Sequence, residues 1–168
     1  MNLFIISLCQ KEIAQWMFDK HIVKIILEAV QLLCTAKRLI DPDDPINEEL
    51  YKIAHKNHPV NIWVRQSYQN FIWTLKLVNE MHKEWRYRFE HNKKKCHKSF
   101  LVAIKILKNM PSPNKFEHKG LTPFALAMPN KYKIINNPVE SYRNYYMSDE
   151  KKHLLKWSKR EQPEWFIQ

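Results

Sequence analysis

The sequence predicts a mostly α-helical fold: one compact helical domain over residues 1–168, with a short extended N-terminal segment and a long irregular loop before the C-terminal helices. Gly occurs once in 168 residues, at Gly120, which removes the usual means of making tight hairpins and phosphate-cradling loops. Apolar residues recur at helical spacing over several stretches of ten or more residues. The nine prolines fall in connectors or at helix starts, where a missing N–H costs nothing.

In chain order, "NLFIIS" (2–7) reads as an extended segment docking the N-terminus into the core. A helical turn follows near Lys11–Phe18, then a helix running to about Arg38, where Lys37 and Arg38 suit the negative end of the helix dipole. "DPDDP" (41–45) is a loop, and residues 47–55 read as a short helix opened by Asn47 with Glu48 and Glu49 in its first turn. Pro59 opens a long helix to about Phe89, carrying Trp63, Phe71, Trp73, Leu77, Val78 and Met81. "HNKKKCHK" (91–98) is a basic connector and 99–108 a further helix. Residues 109–136 hold four prolines and the one Gly, an irregular stretch of a length that is often functional. "NPVE" (137–140) reads as Asn137 at the N-cap, Pro138 at the first turn and Glu140 closing a capping box. Ser148 opens the last helix, and the tail "REQPEWFIQ" folds back onto the body. No internal repeat or linker interrupts the chain.

The formal net charge is +11, from 28 Lys and Arg against 17 Asp and Glu. Such an excess favours a polyanionic partner, DNA or a nucleotide, over a membrane, since no stretch of about 18 apolar residues exists. Residues 2–8 are too short for a signal peptide and lack a basic leader, so the expectation is an intracellular protein that is not secreted. Cys9, Cys34 and Cys96 form no paired motif, so reduced thiols and no metal or other cofactor are expected. Oligomeric state is not readable from these residues.

Three clusters carry possible chemistry. The first is "FDKHIVKIILEAVQLL" (18–33), apolar around most of its circumference, with His21, Lys24, Glu28 and Gln31 at spacings of three and four and Thr35 and Arg38 beyond. At about 100° per residue these share one narrow stripe. The apolar arc is roughly twice the ~100° of a surface helix, so the polar edge of an enclosed helix faces a groove more readily than open water. A Lys and a Glu in a partly dry groove tune each other's protonation, as acid–base chemistry requires. The plain alternative is a solvated edge with an ordinary i,i+4 pair.

The second cluster is "HKNHP" (55–59): His55, Lys56, Asn57 and His58 precede a helix N-terminus, whose free N–H groups favour phosphate, though Asn57 or His58 could equally serve as a cap. Arg65 lies two turns on. The third interleaves Tyr142, Arg143, Tyr145 and Tyr146 with Lys156, Trp157 and Arg160, pairing phosphate-binding cations with rings that stack bases. Tyr146 and Trp157 fit the core equally well. The "KKK" run (93–95) reads as a solvated face.

The ordered motifs "DKHIVKIILEAVQLL", "HKNHPVNIWVR", "TPFALAMP", "NPVESYRNYY" and "KWSKREQPEWF" resemble a group of proteins from phages and large DNA viruses. That group is placed near the pyrimidine-dimer DNA glycosylases of the phage endonuclease V type. The resemblance implies a compact, metal-free helical fold that cleaves an N-glycosidic bond in damaged DNA. It also implies attack by an N-terminal α-amine on the sugar C1′, a Schiff base, help from a glutamate in the early helix, strand cleavage by β-elimination, and a flipped-out base. Asn2 is too bulky for efficient removal of the initiator residue, which leaves Met1 as the amine. The residue nearest the glutamate in a rough alignment is Lys24, with Glu28 one turn later. Carried over, His21, Lys24 and Glu28 supply acid–base and charge-stabilising groups, the nucleophile is Met1 or Lys24, and "HKNH", Arg65, Arg143 and Arg160 hold phosphates. The alternatives are a nucleotide-processing enzyme acting on a small phosphorylated substrate and a non-catalytic nucleic-acid-binding protein.

Overall fold

The computed structural model describes residues 1–167. Helix α2 (Asp19–Ile40) is the axis of the molecule: α3 (Pro59–Gln66), α4 (Tyr68–Arg88) and α5 (Lys98–Lys108) all pack on it, and α1 (Gln10–Trp16) packs on α4. Its Ile22, Ile25, Ile26, Ala29, Val30, Leu32, Leu33 and Ala36 are all buried, the enclosure that its wide apolar arc demands. Helix α6 (Pro138–Tyr146) adds Tyr142 and Tyr146 to the same core, and Leu3 to Ile6 thread into it without regular structure. Among the described residues the regular elements are helices and short 3₁₀ turns, and the fold is mostly α. No described helix is long and apolar enough to cross a membrane.

Side-chain caps set the starts of α3 and α6. Asn137 accepts a hydrogen bond from the Glu140 N–H at 3.1 Å, and His58 Nδ1 accepts from the Val60 N–H at 3.3 Å with Pro59 in the first turn. His58 rather than Asn57 is therefore the cap of α3.

Three expected elements differ. The long helix from Pro59 to Phe89 is two helices broken at Ser67, whose backbone is extended (φ −136°, ψ 141°). There the chain at 118–120 takes over the bonds a continuous helix would make. Tyr68 N–H donates to His118 O at 3.0 Å, His118 N–H donates to Gln66 O at 3.0 Å, and the Ser67 hydroxyl donates to Gly120 O. The helix expected over 47–55 is a 3₁₀ turn, Pro45–Glu49, capped by Asp44. Asn47 is buried and spends its amide on the carbonyls of Asp41 and Pro42, at 2.7 and 3.2 Å, which leaves no cap for a longer helix. The last helix is likewise a 3₁₀ turn, Asp149–Leu154, because the Ser148 hydroxyl donates back to Tyr145 O at 2.7 Å and makes no cap.

A buried charge network fixes the N-terminal end of α2. Arg88 Nε donates to Glu84 at 2.7 Å, Nη1 to Met17 O and Asp19 at 2.6 and 3.1 Å, and Nη2 to Ala14 O and Gln15 O at 3.3 and 2.7 Å. Asp19 also accepts from the backbone and hydroxyl of Ser158, at 2.9 and 2.6 Å. A guanidinium with every donor position engaged is the condition under which a buried cation is tolerated. Through it α1, α2, α4 and the tail are held in one arrangement.

Candidate active cleft

The upper half of the α2 stripe opens on a polar cleft of about 290 Å³, lined by Met1, Asn2, Phe4, His21, Lys24, Glu28, His58, Tyr145 and Lys151 with Ile25 and Ala127. The lower half does other work. Thr35 exchanges hydrogen bonds with the backbone of Ala54, and Arg38 donates to the carbonyls of Asn47, Leu50 and Tyr51. One stripe thus holds the 45–54 segment at its C-terminal end and faces the cleft at its N-terminal end.

Among the described residues Glu28 is the one carboxylate lining the cleft, and its side chain is 13 % exposed. Its Oε2 accepts the Asn2 N–H at 2.9 Å and lies 3.9 Å from the Met1 α-amine. Its Oε1 is 3.5 Å from Lys24 Nζ, whose side chain is 70 % exposed. The Met1 side chain is 6 % exposed and packs on the core, which fixes the amine's position. Asn2 locks the turn that brings the amine there: its Oδ1 accepts from Leu3 and Phe4 N–H at 2.9 and 3.4 Å, and its Nδ2 donates to Ala127 O at 2.7 Å.

Phe4 sits at φ 48°, a left-handed conformation uncommon for an aromatic residue and concentrated at functional sites. That backbone lays its ring against His21, with centroids 4.6 Å apart and planes 22° apart. Lys151 Nζ lies 4.7 Å from the Tyr145 ring centroid and 5.4 Å from that of Phe4. His21 Nδ1 is 2.9 Å from the Tyr146 hydroxyl. Burial and the charges of Lys151, Lys24 and His153 push the His21 imidazole down to about 3. Burial, then the Met1 amine and His55, lower His58, against the opposing pull of Glu28. The cleft therefore gathers positive charge around one carboxylate.

Of the residues expected to bind or react, Met1, His21, Lys24, Glu28, His58 and Tyr145 line this cleft. His55, Lys56 and Asn57 are exposed on the adjoining turn, and Arg65 braces that turn from behind, donating to Lys56 O at 2.5 Å. Tyr142 is a correction: it is fully buried, and its hydroxyl donates to Ala125 O at 2.8 Å and accepts from the Ala127 N–H at 3.3 Å, so it holds the loop and faces no ligand. Arg160 is a second correction: it makes a two-pronged bond to Glu84 through Nε and Nη2, at 2.9 and 2.8 Å, and lies outside the cleft lining. Arg143 donates to Ile6 O at 3.0 Å and lies against both the Trp16 and Trp165 rings, outside the cleft lining. The exposed Lys156 lies in the tail next to α2, whose Asp19 N–H donates to Lys156 O.

Sequence reasoning missed Asn2, Phe4 and Lys151. Asn2 and Phe4 sit in an apolar segment that reads as core, and Lys151 is one of many lysines. Among the described residues no three His, Cys, Asp or Glu side chains come together as a metal site. No family model matches the chain, and neither a curated protein nor a solved structure resembles it closely enough to count as a match.

Proposed function

We propose that this chain cleaves the N-glycosidic bond of damaged or modified bases in DNA, with the Met1 α-amine as nucleophile and Glu28 as its acid–base partner. The observation that carries this reading is the pairing of an α-amine and a carboxylate, 3.9 Å apart, inside a cleft that also presents Lys24, Lys151 and the rings of Phe4, His21, His58 and Tyr145. Glu28 takes a proton from the ammonium, and the freed amine attacks the sugar C1′. The C1′–N bond to the base breaks, and the base leaves with the electron pair and gains a proton. Opening of the C1′–O4′ bond gives a Schiff base, and loss of a C2′ proton then expels the 3′ phosphate. Separations longer than a hydrogen bond are usual in unliganded sites and shorten when substrate enters. Lys24, Lys151 and the N-terminus of α3 at His58 line the same cleft, and cations and free helix N–H groups of this kind suit flanking phosphates.

The size of the cleft, about 290 Å³, favours a second reading: it has room for a single nucleotide unit, so a small phosphorylated nucleotide is the alternative substrate. Borohydride trapping on DNA carrying damaged or modified bases tests the first reading. The expected result is a covalent protein–DNA adduct that disappears when the α-amine is blocked and persists in Lys24→Ala. An adduct lost in Lys24→Ala but not on blocking would make the helix lysine the nucleophile. Absence of both adduct and released base across the substrates overturns the reading. Activity is expected to survive a chelator.

A further inference from the structure

The His21–Tyr146 pair fixes more than a ring position. A phenol has one hydrogen and two lone pairs. The Tyr146 hydroxyl is enclosed in the core and accepts the Phe18 N–H at 2.8 Å. Its own hydrogen needs an acceptor, and among the described residues the polar atom in reach is His21 Nδ1, at 2.9 Å. Leaving that hydrogen unpaired in a closed site would forfeit the whole hydration of a donor. Nδ1 is therefore an acceptor, and the hydrogen of the neutral ring resides on Nε2. Nε2 has no protein partner among the described residues and is not an enclosed atom, so it is the edge of the ring that reaches the cleft.

The surroundings keep the ring uncharged. Phe4 stacks on one face, Phe18 lies 5.3 Å away at a tilt, and Lys24 from α2 with Lys151 and His153 from the 149–154 turn repel an added proton. An acid or base in this position would have to cycle through the imidazolium, which burial and these charges oppose.

We infer that Tyr146 is a positioning residue that fixes His21 in its Nε2–H form, and that His21 serves the cleft as an uncharged hydrogen-bond donor to a substrate oxygen, not as its acid or base. The inference rests on reading this cleft as the substrate site. A neutral donor can hold a carbonyl, sugar or phosphate oxygen of a nucleotide unit without adding a further charge to a cleft already rich in cations. Its hydrogen-bonding direction does not change across the neutral pH range.

The test is nitrogen NMR of the ring-labelled full chain. In the unliganded protein, Nδ1 should appear bare and Nε2 protonated, unchanged from about pH 8 to pH 5. Tyr146→Phe should mix the two tautomers and slow base release roughly tenfold, with melting measured alongside to show that the variant is folded. His21→Gln, whose amide N–H reaches the Nε2 position, should retain more activity than His21→Ala. Adding a duplex with a tetrahydrofuran abasic-site analogue should shift the Nε2 resonance and leave Nδ1 in place. A protonated ring or an Nδ1–H ring at pH 7 overturns the proposal, as does a Tyr146→Phe protein with an unchanged ring spectrum. An Nε2 that responds neither to the duplex nor to a deoxynucleoside monophosphate overturns the donor role. The tautomer is read without turnover. A correct ring spectrum in a protein that releases no base therefore counts against the glycosylase reading alone.

Discussion

The Glu28 carboxylate accepts the backbone N–H of Asn2 at 2.9 Å and stands 3.9 Å from the α-amine of Met1, so one side chain both anchors the N-terminal segment and faces its reactive end. These two duties separate by substitution. Glu28→Gln keeps an oxygen for the Asn2 N–H but removes the base, so base release should fall ~10²–10⁴-fold, the usual scale for a lost acid–base group. Stability should fall by less than about 1.5 kcal/mol. Glu28→Ala should lose the anchor as well and melt lower than Glu28→Gln. Single-turnover rates and thermal melts check this, and full activity in Glu28→Gln would place the chemistry elsewhere.

The rim of the cleft should give DNA binding a steep salt dependence. Lys151, over the Tyr145 ring at 4.7 Å, and the exposed Lys24 are the lysines of that rim. If each contacts one phosphate, removing either should weaken binding about equally across sequences and reduce the slope of log K against log salt by about 0.9. Binding that is indifferent to salt and to oligonucleotide length would favour the nucleotide pocket instead.

Arg88 predicts a large structural effect at a distance from the cleft. Arg88→Met leaves Asp19 and Glu84 buried without their shared cation and frees three backbone carbonyls. The expected loss is about 3–5 kcal/mol, the scale for breaking a buried pair from one side. Burial alone would raise the Glu84 carboxyl, but hydrogen bonds and charge from Arg160 and Arg88 outweigh it and hold the group below the usual range. Its contribution is therefore present above the unfolded carboxylate pKa and fades as pH falls through the lower folded value. Chemical denaturation of both proteins from pH 7 to pH 3 checks the loss and its acid dependence.

His82 is 2 % exposed, lies 3.8 Å from the Phe100 ring in a parallel stack, and has no hydrogen-bond partner at either nitrogen among the described residues. Burial, with the charges of Arg86 and His97, pushes it from 6.5 down to about 4. Between those values the unfolded chain binds the extra proton, so His82 costs stability as pH falls through that window, by up to about 1.4 kcal/mol per pH unit. His82→Phe removes both the unpaired nitrogens and the titration. It should melt at or above the parent at pH 8, with a lead that widens toward pH 5. A constant or shrinking lead on a pH series of melts would overturn this account.

The sequence by itself determined the helical character, the burial of α2, the placement of His21, Lys24 and Glu28 on one edge, and the cap at Asn137. Each follows from local chemistry: helical spacing puts residues three and four apart on one face, and a side chain two or three positions from an N–H can cap it. Tertiary structure decided what those faces meet. The break at Ser67 comes from a chain segment some fifty residues later that offers its backbone in place of helical bonds. The division of the α2 stripe into a cleft and a brace depends on Ala54, Asn47, Leu50 and Tyr51 arriving at its lower half. Tyr142, Tyr146, Arg143 and Arg160 share a composition that suits nucleic acid, yet Tyr142 and Tyr146 are core, Arg160 is bonded to Glu84, and Arg143 rests against two indoles. Periodicity reports which side of an element a residue occupies. Whether that side meets solvent, a carboxylate or another ring is set by contacts between residues more than a hundred positions apart, such as His21 with Tyr146 and Asn2 with Ala127, and these exist once the helices have packed.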